Sequence, residues 1–163
     1  MQTWLKIDRW IEKQQTWICI VLFSAILVMG TIQIVARYMA TVSVPWTEEL
    51  MRFCMIWLTM VGSSLTVRVD GHVSVDIVLT YTKNHRRKAI LFVVARLICV
   101  LFLIVYFPSA IELIRRSATS RAVSLPIPYG YVYAAVPVGI VMMLLSYLTT
   151  IPRMAKQYAK GER

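Results

Sequence analysis

The chain is 163 residues long, 58% hydrophobic and 16% charged, with a mean hydropathy of +0.65, a balance that excludes an ordinary water-soluble domain. Its 18 Lys and Arg against 8 Asp and Glu give a net charge of +10. In a soluble protein that excess would point to nucleic acid, but here the basic residues fall between apolar runs, where they meet membrane lipid headgroups.

A helix needs about 20 residues to cross a hydrocarbon core about 30 Å thick, so this length holds four spans and short connections, with no room for a separate soluble domain. Ahead of the first span, Trp4, Ile7, Trp10 and Ile11 recur at helical spacing while Lys6, Asp8, Arg9, Glu12 and Lys13 take other positions. This predicts an amphipathic interfacial helix over about 3–15, serving as a membrane-surface anchor or as a partner-binding helix. The first span is expected over 17–36, twenty residues without a charge, stopped by Arg37-Tyr38. It is too long for a signal-peptide core and has no clear small-x-small cleavage site, so it reads as a retained helix.

The second span is expected over about 48–67, with Arg52 and Arg68 at its two interfaces. The partly apolar stretch 73–81 is too short to cross and is expected at the membrane interface or packed under the bundle. The third span, about 89–114, contains Arg96 and Pro108 and is expected to be the least regular. The fourth, about 129–151, carries Pro137 and Gly139 and stops at Pro152-Arg153. The predicted fold is an all-α membrane protein, a single four-helix transmembrane domain over 1–163 with an N-terminal amphipathic interfacial helix. There is no repeat, low-complexity segment or linker.

An even number of spans puts both termini on one side, with the connection between spans two and three. That side collects thirteen Lys and Arg, counting Arg96, and the opposite side five, Arg37, Arg52, Arg115, Arg116 and Arg121. The positive-inside rule then predicts cytoplasmic termini.

Several activities lack their residues. There is no Gly-x-x-x-x-Gly-Lys-Ser/Thr loop for phosphates. His72 and His85 both fall outside the spans, which removes the common haem arrangement. No Asp or Glu lies near a midplane, where a four-helix proton-coupled exporter would need one. Cys19, Cys54 and Cys99 sit in separate apolar runs without a Cys-x-x-Cys. No catalytic residue, metal ligand set or cofactor is expected, and the chain does not read as an enzyme.

The densest polar constellation opens span two, Pro45-Trp46-Thr47-Glu48-Glu49-Leu50-Met51-Arg52. Pro in the first turn, carboxylates at the positive end of the helix dipole and Trp46 at the interface account for it as capping and anchoring. The other reading is that Glu48, Glu49 and Arg52 form ion pairs with another protein at the outer leaflet. On the same helix, Glu49, Arg52, Ile56, Thr59, Ser63 and Thr66 fall on one face. With Gly62 and Ser63, this small, hydroxylated stripe suits close helix contact, either with the chain's own helices or with another subunit. Arg68, His72 and Asp76 are spaced by four, which fits a cytoplasmic rim of ion pairs and headgroup contacts better than a metal site. Arg96 lies near enough to the cytoplasmic face to snorkel, or forms an ion pair inside the assembly.

Taken together, these residues resemble the small membrane subunit (the Q or DctQ type) of tripartite ATP-independent periplasmic (TRAP) transporters. The shared pattern is Arg37-Tyr38, then Pro45-Trp46-x-Glu48-Glu49-x-x-Arg52-x4-Trp57-x4-Gly62-x5-Arg68-x3-His72-x3-Asp76, with a looser Pro126-x-Pro128, Tyr133 and Pro137-x-Gly139 before and within span four. The resemblance implies a non-catalytic partner in sodium-driven uptake of organic acids, such as dicarboxylates or sialic acid, at the bacterial inner membrane. It also implies a large multi-span transport subunit (the M subunit) that this chain braces, and a periplasmic substrate-binding protein whose docking surface it helps to form. Two other classes stay open on the residues alone: an autonomous four-helix exporter or channel acting as a homo-oligomer, and a small membrane enzyme or electron carrier.

Overall fold

The computed structural model describes residues 2–39, 44–69 and 85–160 of the chain, together with the loop they include. These form α1 (Gln2–Met39), α2 (Pro45–Val69), α3 (His85–Ser117), α4 (Tyr129–Tyr133) and α5 (Ala135–Lys160). Among the described residues the only extended pairing is an isolated antiparallel bridge between Arg121 and Pro128. Four stretches are long and apolar enough to cross a membrane: Arg9–Met39, Pro45–Arg68, Ile90–Ser117 and Tyr129–Ile151. The protein is an all-α membrane protein with four candidate spanning helices. The predicted stretch 73–81, His72 and Asp76 lie outside the described residues.

The amphipathic segment predicted over 3–15 is helical and runs without a break into the first span, giving one helix of 38 residues. Nothing between Gln2 and Gly30 interrupts it, since that stretch has no Gly or Pro, the two residues that most disfavour a helix interior. α2 begins at Pro45, where a missing N–H costs nothing because the first helical amides have no intrahelical acceptor. The Thr47 hydroxyl and amide both donate to the Val44 carbonyl, at 2.7 and 3.2 Å, which fixes the first turn. α3 carries Pro108 inside its 33 residues and continues through it. The fourth span is split into α4 and α5 at Ala134. Pro137 explains the split: its ring crowds the carbonyl four residues back, at Tyr133, and it has no N–H to offer that carbonyl.

The spans pack in the order α1, α2, α5, α3, with α4 bridging α3 and the start of α5. They form a row rather than a closed bundle, so α1 rests mainly on α2 and keeps most of its surface open. At the centre of the row the approach of α2 and α5 is close. A Cβ added at Gly139 would stand 2.7 Å from Met60 Cβ, so only glycine lets the two backbones come this near. Between α2 and the start of the fourth span, Phe53, Ala122 and Val132 are buried with Leu50, Ile56, Leu125, Ile127 and Tyr129 packed on them. Phe53 meets the Tyr129 ring edge-on at 5.8 Å.

Candidate functional site

The polar residues of α2 are distributed over three places: its first turns, its open face and its last turn. In the first turns, Glu48 accepts a hydrogen bond from the Gln33 side-chain amide of α1. The Gln33 carbonyl lies 3.5 Å from the Thr47 hydroxyl, and Thr47 is fully buried. Gln33 thus clasps α1 to the start of α2. The sequence signal for it was available: a lone amide inside a charge-free run must find a partner or bear the cost of desolvation.

Glu49 has a role that neither capping nor an intersubunit ion pair describes. Its two carboxylate oxygens accept the backbone amides of Val123 and Ser124, each at 2.8 Å. The receiving loop is also closed on itself by Ala122 N–H to Ile127 O at 3.1 Å and Tyr129 N–H to Ser120 O at 3.0 Å. Hydrogen bonds from amides to a carboxylate are charge-assisted and roughly twice as strong as neutral ones, so the start of α2 fixes the shape of the segment that joins α3 to α4. No spacing rule connects positions so far apart in sequence, which is why this contact was not foreseen. On the last turns of α3, Glu112 is engaged by Arg116 at 3.0 Å and Arg115 at 3.8 Å.

The open face of α2 carries Glu48, Arg52, Met55, Thr59, Gly62, Ser63 and Thr66, which are exposed or only half-buried. Thr59, Ser63 and Thr66 donate their hydroxyls to the carbonyls of Met55, Thr59 and Gly62, at 2.8, 2.7 and 3.1 Å. A Cβ at Gly62 would meet nothing within 4 Å. The stripe is therefore not covered by the chain's own described helices. The closely packed glycine is Gly139, on the other helix. Arg52 is exposed and has no ion-pair partner among the described residues. Arg37 and Trp46 are exposed near the same end, and Trp57 is half-buried midway along α2.

At the far end of α2 the arginines are not exposed. Arg68 is 5% and Arg96 2% exposed, and both are engaged within the protein. The Arg96 guanidinium lies 5.1 Å from the ring centroid of Phe92 and 5.8 Å from that of Tyr147 on α5. An arginine buried in the membrane-facing part of a protein is held there by such aromatic faces, which attract the cation through their quadrupoles. Phe92, four residues before Arg96, was accessible to helical spacing; Tyr147 was not. Gln15 is also buried at this end of α1, 2% exposed. Among the described residues no group of three His, Cys, Asp or Glu side chains is placed to hold a metal ion.

A row of four long apolar helices with a polar stripe left uncovered by the described residues defines a multi-pass membrane protein. Residues 26–157 match the family model described as tripartite ATP-independent periplasmic transporters, DctQ component, and the chain belongs to that family. It is 23% identical over 138 residues to a Haemophilus influenzae protein described as a TRAP transporter small permease protein, covering 84% of this chain and 82% of that one. It is 26% identical over 141 residues to the sialic acid TRAP transporter permease protein SiaT of Haemophilus influenzae, covering 86% of this chain but only 23% of SiaT.

Proposed function

We propose that the chain is the non-catalytic small subunit of a sodium-driven, binding-protein-dependent importer of organic acids. In this reading it stands in the bacterial inner membrane with both termini cytoplasmic and pairs through the open face of α2 with a large transport subunit. It braces that subunit and helps to dock a periplasmic binding protein. The supporting observation is a contrast of surfaces. The exposed residues of α1 and α3 include Ile20, Val21, Phe23, Leu27, Val28, Leu97, Ile98, Leu101 and Phe102, side chains that lipid tails accept as well as protein does. The open face of α2 instead carries Arg52, Thr59, Gly62, Ser63 and Thr66. Such a face gains by meeting another helix, whose backbone can approach closely over glycine and serine.

The size of the second relative favours a large partner. A segment similar to this chain makes up about a quarter of SiaT, so in that protein most of the permease lies beyond the matched part. The thirteen-to-five division of Lys and Arg supports the orientation. The name of that relative, a sialic acid permease, favours an acidic sugar as cargo.

The test is co-purification of a tagged small subunit with the large membrane subunit expressed beside it. Arg52→Glu and Thr59→Leu should insert at normal abundance yet recover at least tenfold less large subunit. Full recovery with both variants would remove the open face of α2 as the contact surface.

A further inference from the structure

The loop between α3 and α4 is built more firmly than a connection requires. Glu49 holds the amides of Val123 and Ser124, two backbone hydrogen bonds close the loop across its base, and Ala122, Leu125 and Ile127 reach inward to Phe53 and Val132. What this scaffold presents outward is Val123, 93% exposed, with Arg121, Ser124 and Pro126 exposed around it. An apolar side chain at the head of an immobilised backbone gains nothing within the chain itself. The loop also follows the last turn of α3 and lies between the stretches Ile90–Ser117 and Tyr129–Ile151 that are apolar enough to span, which puts it at the end of the spans and not within them.

Charge narrows the occupant. Both Glu49 oxygens are taken by amides and Glu112 is taken by Arg115 and Arg116, while Arg121 has no ion-pair partner among the described residues. With Arg37, Arg52, Arg115, Arg116 and Arg121 against Glu48, Glu49 and Glu112, this end of the row carries a net positive charge, and Arg121 stands beside a small apolar knob. A complementary surface carries carboxylates around an apolar spot. Lipid headgroups would take the charge but have no use for a backbone of fixed shape, whereas a folded protein does.

We infer that the loop 118–128 is a preformed docking element for an acidic face of the soluble substrate-binding protein, with Arg121 and Val123 as its contact residues and Glu49 as the positioning residue that holds its shape. The inference rests on the functional reading above, in which such a protein meets the exterior side of the complex.

The experiment uses the two-subunit membrane complex in nanodiscs of neutral phosphatidylcholine, titrated with the purified binding protein of the same transporter. Arg121→Glu and Val123→Asp should each weaken binding at least tenfold with the large subunit still retained. Glu49→Gln, which leaves the outward side chains unchanged, should weaken it by a smaller factor. Unchanged affinity in Arg121→Glu and Val123→Asp would overturn the loop as docking element. So would a loss that appears only when anionic lipid is added, since that would assign the arginine to headgroups. Failure of the parent chain to retain a large subunit would instead strike the functional reading on which the inference stands.

Discussion

The carboxylate of Glu49 and the amide of Val123 meet at 2.8 Å across 74 positions of sequence. The bond joins the first turns of α2 to the loop before the fourth span, and with the Phe53–Tyr129 contact beneath it it makes one end of the helix row a single fixed unit. Removing the acceptor leaves two amides to find water. Hydrogen bonds to charged groups contribute about 1.5–3 kcal/mol each, so Glu49→Ala should destabilise the loop by several kcal/mol locally while the spans stay in place. Hydrogen exchange at residues 118–128 should accelerate by a factor of ten or more. Exchange as slow as in the parent protein would mean the carboxylate does not hold the loop.

The close crossing at Gly139 gives a second expectation. A Cβ there stands 2.7 Å from Met60 Cβ, so Gly139→Ala must push α2 and α5 apart, at an overpacking cost of about 1–3 kcal/mol, partly offset by the roughly 1 kcal/mol that alanine gains over glycine in a helix. Gly139→Leu should exceed any such offset. Gly62→Ala, with nothing within 4 Å, should leave the melting temperature of the purified subunit unchanged or slightly raised. A melt that falls equally in Gly62→Ala and Gly139→Leu would contradict this packing.

Arg96 supplies a third. Its guanidinium faces the Tyr147 ring at 5.8 Å, and a cation–π contact shielded from water stabilises by about 2 kcal/mol. Tyr147→Leu should lower stability by at least that much, whereas Tyr147→Phe keeps the aromatic face and should come close to the parent. Thermal unfolding of the three proteins in one detergent checks the order. Equal loss in both variants would show that the hydroxyl, not the ring, matters.

Topology can be read directly. Reporter fusions after Lys160 and within 83–88 should report the cytoplasm, and fusions near Thr41 or Ser120 the exterior. An external C-terminus would reverse every side assignment, including that of the docking loop.

The number of spans, their class and much of their extent were legible because they follow from apolar run length, a local property. So was the start of α2, since Pro45 and Thr47 act within one turn. The interruption at Ala134 was signalled only indirectly, by Pro137. What could not be read was which of the polar residues on α2 face inward. Helical spacing put Glu49 and Arg52 on one face, yet Glu49 turns to a loop more than seventy residues away while Arg52 remains exposed. Gly62 and Gly139 look equivalent as sequence, and only the face each helix turns to the α2–α5 crossing distinguishes the crowded one from the open one. Arg96 reads from the sequence as snorkelling or ion-paired, whereas its guanidinium is buried against Phe92 of its own helix and Tyr147 of α5, and only the fold brings Tyr147 beside it.

The order α1, α2, α5, α3 has a consequence for permeation. Among the described residues each span packs chiefly against its neighbours along the row, and such a single layer encloses no lumen. A solute crossing the bilayer beside this protein therefore has no conduit through one copy of it, and at least one wall of its path must belong to another polypeptide. Under the function proposed above, this layer is the fixed side of that path, with the anchored loop at one end and the buried arginines at the other.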